Sequence, residues 1–235
     1  MALFPTCLGE ALNPAAVRDS ERLLGAAGVV CERPSGATCC GQPAWNSGFV
    51  RDARRVARRT LRALADAETV VVPAGSCAAM IRVHWRHLFH GERDEEVAAR
   101  VAARTFELSQ YLVDELDWRP PEPAERADVA YHDSCHMLRE LRLHDQPRAL
   151  LAAVANLREL PRADRCCGFG GTFSVRYPDV STAMADDKLA SAATISVGAV
   201  ASADPGCVMQ IEGRASRVGA GVRVVHLATV VAEAL

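Results

Sequence analysis

The sequence predicts an α/β protein of two tandem, similar domains, and three observations carry that prediction. A cysteine pattern occurs twice, as Cys7, Cys39-Cys40-Gly41 and Cys77, then as Cys135, Cys166-Cys167-Gly168 and Cys207. Corresponding cysteines lie 128, 127 and 130 positions apart, so the halves keep nearly constant register. Short apolar segments alternate with segments of helical period in both halves, which is the mark of mostly parallel sheets flanked by helices. Between the halves, residues 117–126 carry Pro120, Pro121 and Pro123 and little apolar content, as a linker does. The expected division is a first domain at 1–117, a linker at 118–127 and a second domain at 128–235, the domains related by a pseudo-twofold axis.

Taken in order, strands are expected near 2–6, 28–33 and 69–73 in the first half, where apolar and β-branched residues run together. In the second half they are expected near 128–132, 157–160, 197–201 and 222–226. Helices fit 14–27, with Pro14 in the first turn, then 49–67, 78–90, 94–116, 146–155, 178–194, 208–218 and 227–234. On this reading Cys7 and Cys135 follow the first strand of each half, and Cys77 and Cys207 follow a later one. The paired cysteines sit in Gly- and Pro-containing loops before a helix. All the sulfurs then gather at the carboxyl ends of strands, where open α/β sheets place their ligands.

Half the residues are apolar and the net charge is −2, the balance of a globular chain that offers nucleic acid no basic surface. No apolar run reaches the roughly 18 residues that a membrane span needs, and residues 1–7 lack the basic start of a secretory signal. A cytoplasmic location is expected, where thiols stay reduced and clustered cysteines mean metal or catalysis rather than disulfides. Lys188 is the only lysine among 27 basic residues, a bias read as codon usage. The arginines between 51 and 62 read as a solvated helix face.

Adjacent cysteines suit one small tetrahedral ion poorly, because zinc sites usually space their ligands two to four residues apart. A multinuclear iron–sulfur cluster is larger, and neighbouring thiolates on a turn can reach different irons. Gly41 and Gly168 let the backbone approach and aim N–H groups at sulfur, a recognised control on reduction potential. Four cysteines per copy match the usual thiolate count of a four-iron cluster. The reading is therefore one iron–sulfur cluster per repeat, held by Cys7, Cys39, Cys40 and Cys77 and by Cys135, Cys166, Cys167 and Cys207. Zinc in one repeat is the alternative. His132 and His136 bracket Cys135 and are auxiliary candidates, either as ligands or as loop histidines. Cys31 has no counterpart and reads as a small buried hydrophobe. His84, His87 and His90 drift apart on a helix and read as solvent-facing. No dinucleotide fingerprint or P-loop is present, so no organic hydride acceptor and no catalytic residue is assigned.

The segments PTCLGEAL, GATCCGQPAWNSGF, PAGSCAAMI, YHDSCHMLREL, RCCGFGGTFSVRYPDVS and ADPGCVMQIEGR together resemble the lactate utilisation protein A family. More broadly, they are similar to the cysteine-rich (CCG) domain of heterodisulfide reductases and related iron–sulfur oxidoreductases. The resemblance covers essentially the whole chain. It implies two CCG domains in an iron–sulfur subunit of a cytoplasmic system that oxidises L-lactate to pyruvate, with a ferredoxin-like iron–sulfur subunit and a third subunit as partners. The reductase pattern closes on two cysteines separated by two residues, and here Ala74 and Asp204 stand at the first of them. Each copy thus falls one thiolate short, which leaves open a four-thiolate cluster, assistance from Asp204, or zinc in one half. A cluster-based thiol–disulfide reductase and a zinc-stabilised scaffold are the competing functions.

Overall fold

The computed structural model describes residues 1–235. Two parallel sheets, one in each half, carry the chain. The first has the order β1 (Ala2–Leu3), β2 (Val70–Val72), β3 (Thr105–Glu107). The second runs Asn156–Glu159, Asp128–Tyr131, Ala199–Ser202, Arg223–His226, named β5, β4, β6 and β7 in chain order. A single parallel bridge from Glu32 to Ala2 stands where β5 pairs with β4 in the second half. The two sheets therefore share one strand order, and the first has its outer strand reduced to that bridge. Residues 118–127 carry no helix or strand.

Sequence logic explains most elements. Val70–Val72 and Ala199–Ser202 are buried along their whole length, as strands covered by helices on both faces must be. Pro14, Pro178 and Pro205 each occupy a first helical position, where a missing N–H costs nothing. The helices Val50–Leu64 and Pro178–Ala193 follow the two paired-cysteine loops and are counterparts.

Two expectations change. Residues 94–116 are not one helix: Glu95–Ala103 ends at Arg104, and β3 intervenes before a short helix at Leu108–Gln110. Thr105-Phe106-Glu107 looks helical in its neighbourhood, but it completes the hydrogen bonding of β2, so tertiary pairing overrides local pattern. The strand at 28–33 shrinks to the Glu32 bridge, because Val30 and Glu32 face solvent with no partner strand beyond them.

The halves clasp reciprocally. Helix Leu227–Ala232 of the second half packs on Pro14–Ala26 of the first, and Asp145–Val154 packs on Leu108–Gln110 in the mirrored sense. Likewise Cys7–Leu12 meets Pro205–Val218, while the π-helical turn Met137–Leu141 meets Gly75–Ala79. The largest apolar core accordingly mixes both copies, with Leu3, Leu23 and Leu24 joined to Tyr131, Leu150 and Leu227. This exchange turns the strand carboxyl ends of both sheets toward a single junction.

Candidate metal centre

All eight repeated cysteines line one cleft at that junction, between the halves. Cys7 opens a helix capped by Thr6, whose hydroxyl accepts the Gly9 N–H at 3.1 Å. Thr6 holds φ at 65°, a conformation that a β-branched residue adopts only under constraint. Cys77 and Cys207 sit in the first turns of Gly75–Ala79 and Pro205–Val218, directly after β2 and β6. The Cys39-Cys40 and Cys166-Cys167 pairs ride loops that turn back through Gly41 and Gly168. Both glycines have positive φ, 92° and 89°. A Cβ on Gly41 would lie 2.8 Å from the Ala53 carbonyl oxygen, and one on Gly168 2.6 Å from that of Ser181.

Each quartet closes on itself in the same way. Cys40 Sγ lies 3.1 Å from Cys77 Sγ, and Cys167 Sγ 3.1 Å from Cys207 Sγ. The Gly41 N–H donates to Cys39 Sγ and the Gly168 N–H to Cys166 Sγ, each at 3.4 Å. Hydrogen bonds from the Cys40 and Cys7 thiols hold Cys39 down to about 3. The Cys135 and Cys167 thiols hold Cys166 down to about 2. Donating those bonds raises Cys7 and Cys135, with burial adding to the effect. Cys39 and Cys166, which take hydrogen bonds from their neighbours, are the sulfurs in each quartet whose surroundings favour the thiolate, the form that binds metal. Four converging sulfurs fit a thiolate-ligated metal group in each half.

The auxiliary candidates fare differently. His132 is fully buried, and neither ring nitrogen has a hydrogen-bond partner. Its ligating nitrogen and the sulfurs of Cys167 and Cys207 all lie within 4.8 Å of one another. Burial, helped by the charge of Lys188, lowers it to about 3, so the ring is neutral with a free lone pair. Asp204 borders the cleft, but its oxygens are engaged: Oδ1 accepts the Gly206 N–H at 3.0 Å and Oδ2 the Ser76 N–H at 2.8 Å. His136 faces the cleft and binds Glu140 through Nδ1 at 2.9 Å. His84, expected in solvent, is half-buried and reaches the other oxygen of Glu140 at 2.8 Å, tying the halves together. Cys31 lies outside the cleft, half-buried against the shared core.

Three features escape a reading of each half alone. Lys188 is buried, and its ammonium donates to the Arg162 and Ala163 carbonyls just before the second cysteine pair. Thr60 stands 128 residues earlier and fastens the first loop through a bond to the Cys39 carbonyl at 2.9 Å. Glu107 is fully buried, caps the Ser109 and Gln110 N–H groups, and is raised to about 7 by burial. The signal for the first two was present: aligning the copies pairs Phe4 with His132, Thr60 with Lys188 and Ala74 with Asp204.

Comparison with known proteins agrees with this architecture. The family model described as "CCG: Cysteine-rich domain" matches residues 1–82 and again 129–212. Lactate utilization protein A of Geobacillus kaustophilus is 42% identical over 98% of this chain and 97% of its own length. The Geobacillus thermodenitrificans protein of the same name is also 42% identical over the same shares. Lactate utilization protein A 2 of Bacillus cereus is 38% identical over 100% of this chain and 98% of its own. Among solved structures, a glutamate racemase from Francisella tularensis aligns at TM-score 0.38 and 8% identity, covering 99% of this chain and 77% of that one. That likeness is too remote to bear on the site.

Proposed function

Because the chain belongs to the lactate utilization protein A family of cysteine-rich (CCG) domain proteins, we propose that it is the iron–sulfur subunit of a complex oxidising L-lactate to pyruvate. The observation that carries this reading is the single cleft shared by both cysteine quartets. Cys7, Cys39, Cys40 and Cys77 hold one cluster, and Cys135, Cys166, Cys167 and Cys207 the other. Each is a 4Fe–4S group by thiolate count. When bound, such clusters accept and pass on single electrons, which is what the two-electron oxidation of an alcohol requires of a relay. The chain's own part is to hold the two groups in one cleft and to aim the Gly41 and Gly168 N–H groups at their sulfurs.

A ferredoxin-like iron–sulfur protein and a third protein complete the system, and the cytoplasm suits nine free thiols. No helix of the chain is long and apolar enough to cross a membrane. Exposed apolar side chains support docking of partners near the cleft: Phe49 and Tyr177 occupy equivalent helix starts, and the loops before them are joined by a Ser47–Thr172 bond of 2.5 Å. We divide the chain into domains at 1–117 and 128–235, joined by 118–127.

The test uses protein purified without air and mixed with its two partners. L-lactate should bleach the visible absorption of this subunit, and should do so only when the partners are present. A fully iron-loaded subunit that stays unreduced by L-lactate in the complex, or that instead reduces small disulfides, would replace this reading with the reductase one. The placement of His132 beside Cys167 and Cys207 favours one second reading, zinc in the second repeat, and metal analysis of the same sample separates the two.

A further inference from the structure

The two quartets are built alike, yet the position behind them differs. In register, Phe4 follows β1 where His132 follows β4, and both side chains are fully buried. Phe4 packs into the apolar core of the first half and has no donor to offer. His132 has two ring nitrogens and uses neither within the chain. Leaving a buried polar group unsatisfied costs about 1–3 kcal/mol, a cost that a metal taking up a ring nitrogen would relieve. The candidates around it are sulfurs: its ring nitrogen lies within 4.8 Å of Cys167 Sγ and Cys207 Sγ. Lys188, the nearby cation, turns away and spends its hydrogens on the Arg162 and Ala163 carbonyls.

We propose that His132 is a nitrogen ligand of the metal held by the second quartet, making that site mixed sulfur–nitrogen while the first is all-sulfur. The inference rests on reading each quartet as a metal site. It gives the duplicated chain two unequal centres.

The test starts from the full chain, freed of metal, kept from air and given cobalt(II) alone. Cys40→Ser disables the first site, so the spectrum reports the second. Imidazole is a stronger-field ligand than thiolate, so a mixed site absorbs at shorter wavelength than an all-sulfur one. Replacing His132 by Phe, the residue of the first half, should move the bands to longer wavelength and weaken cobalt binding at least tenfold. His132→Asn guards against a packing defect and should give the same loss. An unchanged spectrum and affinity in both variants would overturn the assignment. A second readout uses protein purified with its native metal after labelling with ¹⁵N-histidine. A strong nitrogen coupling in the paramagnetic reduced state should vanish in His132→Phe and persist in His136→Gln, and a coupling that survives His132→Phe counts against the inference. A chain without iron whose cobalt binding still depends on His132 would defeat the iron–sulfur reading and leave this inference standing. Full iron with no His132-dependent coupling would do the reverse.

Discussion

The carboxylate of Asp204 accepts the Ser76 N–H at 2.8 Å from across the junction, while its other oxygen accepts the Gly206 N–H at 3.0 Å within its own half. One side chain therefore caps both helices that carry the last cysteine of each quartet. Ala74, its counterpart, cannot return the favour, so the pairing of the halves is asymmetric at this point. Removal of a capping carboxylate costs about 0.5–2 kcal/mol per helix. Asp204→Ala should destabilise the metal-free protein by about 2 kcal/mol in urea unfolding, and Asp204→Asn by less. A loss below about 0.5 kcal/mol would show that the cross-junction cap is idle.

The glycine turns are predicted to be site-specific. Ala at position 168 would place a Cβ 2.6 Å from the Ser181 carbonyl oxygen at a φ of 89°, so the loop has to shift and carry Cys166 and Cys167 with it. Gly168→Ala should therefore lose the metal of the second half and keep that of the first, and Gly41→Ala the converse. Metal analysis of the two purified variants decides it.

Glu107 supplies a pH signature. Burial raises its folded-state value from 4.5 to about 7, so between those values the folded protein binds more protons than the unfolded chain. Its contribution to stability is therefore lost as pH rises from about 4.5 through 7, by up to about 3 kcal/mol. Glu107→Gln removes this titration. Relative to wild type, the variant should gain stability between pH 5 and pH 8, and the two curves should run parallel below pH 4. Parallel curves across the whole range would contradict the assignment.

Arg148 anchors the segment leading to Cys135. It grips both oxygens of the buried Asp133 at 2.9 Å and reaches Glu159 as well. Its side chain is 12% exposed and that of Asp133 is 4%, so deletion of the cation strands a buried carboxylate. Arg148→Met should cost about 3 kcal/mol in denaturant unfolding, and the double variant with Asp133→Asn should recover part of it.

Much of this site was legible in the sequence, because duplication repeats a spacing and metal chemistry restricts the residue types. The strand-end placement of Cys7, Cys77, Cys135 and Cys207 follows from short apolar runs ending just before them. Other features depended on distant chain. Thr105–Glu107 is a strand only because β2 offers it a partner, and local periodicity could not reveal that. The convergence of His84 with Glu140 depends on how the halves clasp, and the burial of Lys188 on the fold that brings the Arg162 and Ala163 carbonyls to it. His132 was visible as a neighbour of Cys135, but its unpartnered ring required the packed interior.

Iron and acid-labile sulfide, measured per chain in protein purified without air, test the central claim most directly, with Cys40→Ser and Cys167→Ser beside the wild type. Two four-iron clusters predict about eight irons with matching sulfide in the wild type and about half in each variant. Full iron retained in either variant, or wild-type protein carrying metal without sulfide, would contradict the account.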